Sequence, residues 1–219
     1  MPLTYAIGDI HGSLDMLVKL VARCHVHAAA EPMTFVFLGD YIDRGPNSAG
    51  VVQLLMEVAA DMPGGVIALK GNHEAMALDV LDGAAPTEFW LSQGGAETLA
   101  SYGAANIHEM PPEHVQWLRA LPTHFDDGRR FFVHAGIDPL RPLDAQKEED
   151  LLWIREPFLF DDRDYGRLIV HGHSPLETGV PDLRANRLNL DTGAVFGGPL
   201  TAAVFDDATT APIAFLQVN

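Results

Sequence analysis

The sequence predicts an α/β protein built as a layered sandwich, two β-sheets with helices outside, on three observations. The first third alternates short apolar runs with amphipathic stretches, the last third consists of short β-rich runs separated by turn residues, and the segment between them carries aromatic residues at helical spacing.

The elements follow in order. Residues 4–7 read as a strand, Ser13 opens a helix, residues 34–38 form a second strand, a helix starts at about Asn47, and residues 66–69 form a third strand. A β-α-β-α-β succession sets its strands parallel, and ligands gather at the carboxyl ends of such strands. Each apolar run here closes on glycine and a polar residue, Gly8-Asp9, Gly39-Asp40 and Gly71-Asn72, so three polar side chains share one rim. Residues 86–121 read as a helical insert, with Trp90, Tyr102 and Trp117 interrupted by Gly94-Gly95 and Pro111-Pro112. From Arg130 onward, FFVHAGI, RLIVHGH, RLNLDTGAVF, LTAAVFDD and PIAFLQV read as the strands of a second sheet. No repeat or linker interrupts the chain, and residues 1–219 are expected to form one domain.

Charge narrows the function classes. Fourteen Lys and Arg stand against 30 Asp and Glu, a net charge of -16, which opposes any partner that must be neutralised by basic side chains, whether nucleic acid or an anionic membrane. The single cysteine, Cys24, permits no intrachain disulfide and fits a reducing cytoplasm. The N-terminus runs directly into motif residues, no apolar run has membrane-spanning length, and no heptad pattern appears, so a cytoplasmic monomer is the expectation.

Asp9-x-His11, Asp40, Asn72, His134 and His173 are oxygen and nitrogen donors placed at or just beyond β-runs. Two divalent cations about 3.5–4 Å apart need one bridging carboxylate and can clamp the oxygens of an in-line displacement at phosphorus. Asp40 is the natural bridge. A thiolate-free set of carboxylate, imidazole and amide ligands favours Mn, Fe or Zn over Ca, with Mg compatible.

GDIHG at 8–12, GDYIDRG at 39–45, GNHE at 71–74, HAG at 134–136 and HGHSP at 171–175 resemble the signatures of calcineurin-like metallophosphoesterases, more narrowly the bacterial and phage-type serine/threonine phosphoprotein phosphatases. The resemblance implies a four-layer α/β/β/α sandwich of two mixed β-sheets flanked by helices. It implies that Asp9, His11 and Asp40 hold one metal, that Asp40, Asn72, His134 and His173 hold the second, and that a hydroxide bridging the two attacks a serine or threonine phosphate monoester. It further implies that His73 protonates the leaving oxygen, that Asp43 orients His73, and that Arg44, with Arg155 of LLWIRE, grips the phosphoryl group. The implied partner is a phosphorylated protein or peptide. His171 is left either as a structural histidine or as one that supports a metal ligand from behind.

Elsewhere plainer readings prevail. A single Gly-Asp after a strand is more often a turn than a metal site, whereas five such segments in family order are not. His25 and His27 beside Cys24 read as a solvated helix end, Asp161, Asp162 and Asp164 as a solvated loop, and Trp90, Trp117 and Trp153 as core residues. The segment Asp191-Thr192-Gly193-Ala194 reads as a turn without an assigned role.

Symmetrical diadenosine tetraphosphatases, which share the scaffold, carry alanine where this chain has Asp43 and NHD where it has NHE, so both Asp43 and Glu74 favour the protein phosphatase. Ala75-Met76 stands where eukaryotic phosphatases carry Ser-Arg, which removes the basis for eukaryotic-type substrate and inhibitor recognition. A small-molecule phosphoesterase and a silent metal-binding scaffold are the remaining alternatives. Silence would require a missing ligand or acid, and the whole set is present.

Overall fold

The computed structural model describes residues 2–219. Its strands are β1 (Leu3–Ile7), β2 (Met33–Phe37), β3 (Val66–Ala68), β4 (His124–Asp126), β5 (Arg130–Val133), β6 (Leu168–His171), β7 (Asp182–Leu183), β8 (Arg187–Asn189), β9 (Leu200–Phe205) and β10 (Ala214–Val218). Its α-helices are α1 (Leu14–Ala28), α2 (Ser48–Asp61), α3 (Asn72–Leu81), α4 (Thr87–Trp90), α5 (Ala96–Tyr102), α6 (Pro112–Ala120) and α7 (Glu148–Trp153).

The strands form two mixed sheets among the described residues, ordered β10-β9-β1-β2-β3 and β4-β5-β6-β8-β7. In the first, β1, β2 and β3 are parallel, as the β-α-β-α-β reading requires. In the second, β5, β6 and β8 are parallel between antiparallel edges. One assignment is corrected: LTAAVFDD and PIAFLQV do not join the second sheet. They form β9, antiparallel to β1, and β10, antiparallel to β9, which complete the first sheet, Ala202 lying opposite Ile7 and Phe215 opposite Ala203. Every residue of β9 is buried, because both faces of this inner strand are covered.

Side-chain alternation sorts the layers. Tyr5, Ile7, Phe35, Phe37, Ala202 and Val204 point outward and pack with Leu17, Leu20 and Val51 of the helices. Ala6, Val36, Ala203 and Phe205 point inward and meet Phe132, Val170 and Leu188 of the second sheet. Phe131, Val133 and Ile169 face a thinner outer layer with Leu151 of α7 and Phe158. The result is the expected four-layer sandwich, with the residues of 86–121 folded as α4, a π-type turn (Leu91–Gly95), α5, a 3-10 turn and α6.

Because β1, β2, β3, β5, β6 and β8 all run the same way within their sheets, carboxyl ends from both sheets reach one rim. Gly71 shows how tightly these ends abut: a Cβ there would lie 2.2 Å from Asp40 Oδ1.

Candidate metal centre

Asp40 follows β2 in a left-handed conformation (φ 54°), with its backbone N–H held by Glu74 Oε2 at 2.9 Å. Its Oδ2 lies 3.4 Å from His11 Nε2, and its Oδ1 lies 3.3 Å from His134 Nε2. Oδ1 also accepts the backbone N–H of His73 at 3.1 Å, at the positive N-terminus of α3. One carboxylate therefore faces two donor groups. His11, Asp40 and His73 form one and Asp40, His134 and His173 the other, with all the donor atoms of each group within 4.8 Å of one another.

Asn72, the first residue of α3, extends the second group: its Oδ1 is 2.8 Å from both His134 Nε2 and His173 Nδ1. Asp9 joins neither group of three. Its carboxylate is buried beside them and accepts the backbone N–H of His173 at 3.1 Å on each oxygen.

The donor set fits divalent cations. His134 Nδ1 is 2.9 Å from the carbonyl of Leu38, and His11 Nδ1 is 2.8 Å from that of Ile42. A carbonyl can only accept, so each ring donates from Nδ1, and a neutral ring keeps a bare lone pair at Nε2. Burial holds the His134 pKa below its ordinary value, although Asp40 pulls it the other way, and this favours the neutral ring. Its Nε2 lone pair then converges with Asn72 Oδ1 and Asp40 Oδ1 without a proton to share. A cation suits such a cluster, and the N/O chemistry is that of a borderline or hard divalent metal.

The charge pattern agrees. Burial raises the Asp9 pKa well above its usual range, with Asp191 and Asp40 adding to the rise. Burial works the same way on Asp40, but the attraction of protonated His134, His73 and His11 outweighs it and holds Asp40 well below the usual range. Burial pushes His173 down to about 2 and Asp191 up to about 6. Bound cations would relieve the buried acids Asp9 and Asp191, whose pKa is raised, and suit the imidazoles of His134 and His173, whose pKa is lowered, while Asp40 holds that of His11 up.

His73 Nδ1 lies 2.7 Å from Asp43 Oδ2, and its Nε2 lies 4.0 Å from Asp40 Oδ2. Arg44 reaches His11 Nε2 with Nη1 at 2.8 Å and lies over the Phe196 ring. The exposed Arg155 is tethered only by its bond to the His173 carbonyl at 3.1 Å. Asp40, Arg44, Asn72, His73, Arg155 and His173 meet in one cleft of about 160 Å³, whose remaining walls are Gln93, Trp153, Pro175 and Phe196. Arg44 and Arg155 put two positive charges in the wall of this cleft, in a chain of net charge -16. Strain collects here as well: of six non-glycine residues with positive φ among the described residues, His11, Asp40, Asp43, Arg44 and His173 belong to the site.

The plainer readings fare unevenly. His25 and His27 are exposed, and the Asp161 loop is tied to its own Arg163 and Tyr165. Trp153, expected in the core, is 41% exposed and lines the cleft with its ring perpendicular to that of His173, because it ends the short helix α7 at the rim. Trp90 is in the core, yet its indole N–H donates to Asp43. Asp191 is buried among the charges of the site. His171 is buried and edge-on to Phe158, with Nε2 unpartnered.

The sequence marked neither Glu74 as the clamp on Asp40 nor the core residue Trp90 as a partner of Asp43, and it gave no sign of Thr98 or Phe196. A fully buried tryptophan must find a partner for its N–H, the one available signal for Trp90. Thr98 and Phe196 offered none.

Comparison with known proteins places these features in a wider group. The profile of the calcineurin-like phosphoesterase family matches residues 3–201. The chain is 34% identical over 209 residues to serine/threonine-protein phosphatase 1 of Salmonella typhimurium (strain LT2), covering 91% of this chain and 90% of that one. It is 34% identical over 138 residues to the symmetrical bis(5'-nucleosyl)-tetraphosphatase of Dechloromonas aromatica (strain RCB), covering 62% of this chain and 44% of that one. Among solved structures, a candidate diadenosine tetraphosphatase superposes with a TM-score of 0.75 at 24% identity, over 99% of this chain and 92% of the other.

Proposed function

This chain belongs to the calcineurin-like phosphoesterase family, and from that premise we propose that it is a dinuclear metal-dependent phosphatase acting on serine and threonine phosphate monoesters of proteins or peptides. Asp9, His11 and Asp40 would hold one divalent cation, and Asp40, Asn72, His134 and His173 the other. Two such ions supply a water nucleophile at neutral pH and screen the charge of the phosphoryl oxygens.

The chain's own residues do the rest. Arg44 and Arg155 grip the phosphoryl oxygens and aim phosphorus at the rim. His73 faces the cleft with Nε2 and gives its proton to the leaving oxygen, while Asp43 fixes the ring through Nδ1.

The observation that carries this reading is the 2.7 Å contact between His73 and Asp43. A serine alkoxide is a poor leaving group and needs an acid. A nucleoside polyphosphate departs as a stabilised phosphate, and tetraphosphatases carry alanine at the position of Asp43. The relative matched along most of both chains is a serine/threonine phosphatase, which supports the same choice. The second reading, symmetrical dinucleotide tetraphosphate hydrolysis, has the other relative in its favour, although that match reaches less than half of the relative.

Phosphate release from a phosphoserine peptide and from diadenosine tetraphosphate, measured side by side with Mn, after chelation and in His73→Asn, separates them. Peptide turnover that needs metal and collapses in the variant is the expected result. Turnover of the dinucleotide alone would overturn the protein phosphatase reading, and turnover of neither would return the chain to a metal-binding scaffold.

A further inference from the structure

Asp43 is fully buried, and its carboxylate has more partners than His73. The indole N–H of Trp90 donates to Oδ1 at 3.1 Å and to Oδ2 at 2.9 Å. The hydroxyl of Thr98 donates to Oδ1 at 2.7 Å and accepts the Asp43 backbone N–H at 2.8 Å, an N–H that Ser48 Oγ also accepts at 3.1 Å. Trp90, Thr98 and Ser48 are themselves fully buried.

We infer that Trp90 and Thr98 are positioning residues for the leaving-group proton, acting through Asp43. The inference rests on the proposed role of His73 as the acid. A carboxylate with a single imidazole partner turns freely about its last torsion. Donors on both oxygens remove that freedom and fix the plane in which His73 sits. Both donors are neutral, so they orient the charge of Asp43 without cancelling it, as an arginine or lysine would.

The backbone supports the same assignment. Asp43 and Arg44 are consecutive left-handed residues (φ 72° and 67°), a turn that costs free energy unless its surroundings impose it. The π-type turn imposes it: the Arg44 N–H donates to the Gly94 carbonyl at 3.1 Å. Gly94 has φ 110°, and a Cβ on it would lie 2.4 Å from Arg44 N, so only glycine lets this turn close onto Asp43-Arg44. Trp90 precedes the turn and Thr98 follows it. The helical insert is thus the bracket that holds the acid dyad.

In the step concerned, the bond from phosphorus to the leaving oxygen breaks as the bond from phosphorus to the water oxygen forms. The leaving oxygen takes the proton of His73 Nε2, the ring becomes neutral, and the Nδ1 proton stays between His73 and Asp43. A misaligned dyad therefore slows only those substrates whose leaving oxygen needs that proton.

The test compares Trp90→Phe and Thr98→Val with the parent in the metal-loaded full chain, on a phosphoserine peptide and on p-nitrophenyl phosphate, whose leaving phenolate needs little protonation. The expected result is a kcat on phosphoserine lowered about tenfold in each variant, part of the roughly 10²–10⁴-fold that general acid catalysis supplies, with KM held. Turnover of p-nitrophenyl phosphate falls far less, Thr98→Ser restores the loss, and the His73 Nδ1–H proton resonance moves upfield in Thr98→Val and Trp90→Phe. An equal fall on both substrates, or no fall on either, overturns the inference. Should Thr98→Val fail to fold, Trp90→Phe against the parent decides by the same criteria. If His73→Asn itself shows no preference between the two substrates, the proposed role of His73 falls, and this inference with it.

Discussion

Glu74 Oε2 accepts the backbone N–H of Asp40 at 2.9 Å, so the third residue of α3 holds in place the loop just beyond β2. The same carboxylate takes the N–H groups of Gly71 at 2.9 Å, Tyr41 at 2.8 Å and Ile42 at 3.3 Å, which gathers the GDYI and GNHE segments around one buried side chain.

Glu74→Gln leaves one acceptor oxygen where there were two and sets an amide N–H₂ against backbone N–H groups. The loss of buried partners is expected to cost about 2–4 kcal/mol, read as a lower denaturant midpoint. Metal affinity should fall with it, because Asp40 is no longer held at φ 54°. Unchanged stability would show that water or another side chain satisfies these N–H groups.

Asp40 faces both donor groups, whereas His173 belongs to one. Asp40→Asn is expected to lose both bound metals and His173→Asn only one, as counted by elemental analysis after gel filtration. Equal losses in the two variants would refute Asp40 as the bridge.

The parts of this architecture that could be read from the sequence are those encoded locally. The strands 4–7, 34–38 and 66–69 announce themselves because an apolar run and its terminating glycine are neighbours in the chain, and metal-type donors stand within a few residues of those ends. The sheet to which β9 belongs is a different matter. Its partner β1 lies near the other end of the chain, and the alternation of Leu200–Phe205 carries no mark of which edge it will pair with. Trp90 and Thr98 stayed hidden for a related reason: they serve Asp43 from about 50 residues away and are not residue types that mark metal chemistry. Trp153 misled because an apolar stretch near a helix end can face either the core or the rim.

The two arginines of the cleft differ in how firmly they are held. Arg44 is half-buried and lies over Phe196, whereas Arg155 is exposed with one bond to the His173 carbonyl. Preorganised charge is worth more than mobile charge, so Arg44→Ala is expected to lower kcat/KM by about 10²–10³-fold and Arg155→Ala by about tenfold. Arg44→Lys should recover little, since an ammonium cannot reproduce the fork. Steady-state kinetics on the phosphoserine peptide decide it, and the reverse order would show that Arg155 carries the phosphoryl group.

His171 provides a prediction about acid stability. Burial, with Arg187 adding to it, pushes its pKa down to about 3. The unfolded ring takes a proton at about 6.5, so between pH 6.5 and 3 the unfolded state binds more protons and stability falls as the pH falls. Above that window the ring is neutral in both states and has no effect. In metal-free protein, where cation release adds no slope of its own, His171→Gln should lose less stability on acidification than the parent. The difference between them should change by at most about 1.4 kcal/mol per pH unit, the limit for one proton. Urea midpoints at pH 7.5, 6, 5 and 4.5 measure it. Parallel curves would mean that the folded protein opens enough around Phe158 and Arg187 to let His171 take up its proton, and this corner of the second sheet would then be less closed than its buried side chains indicate.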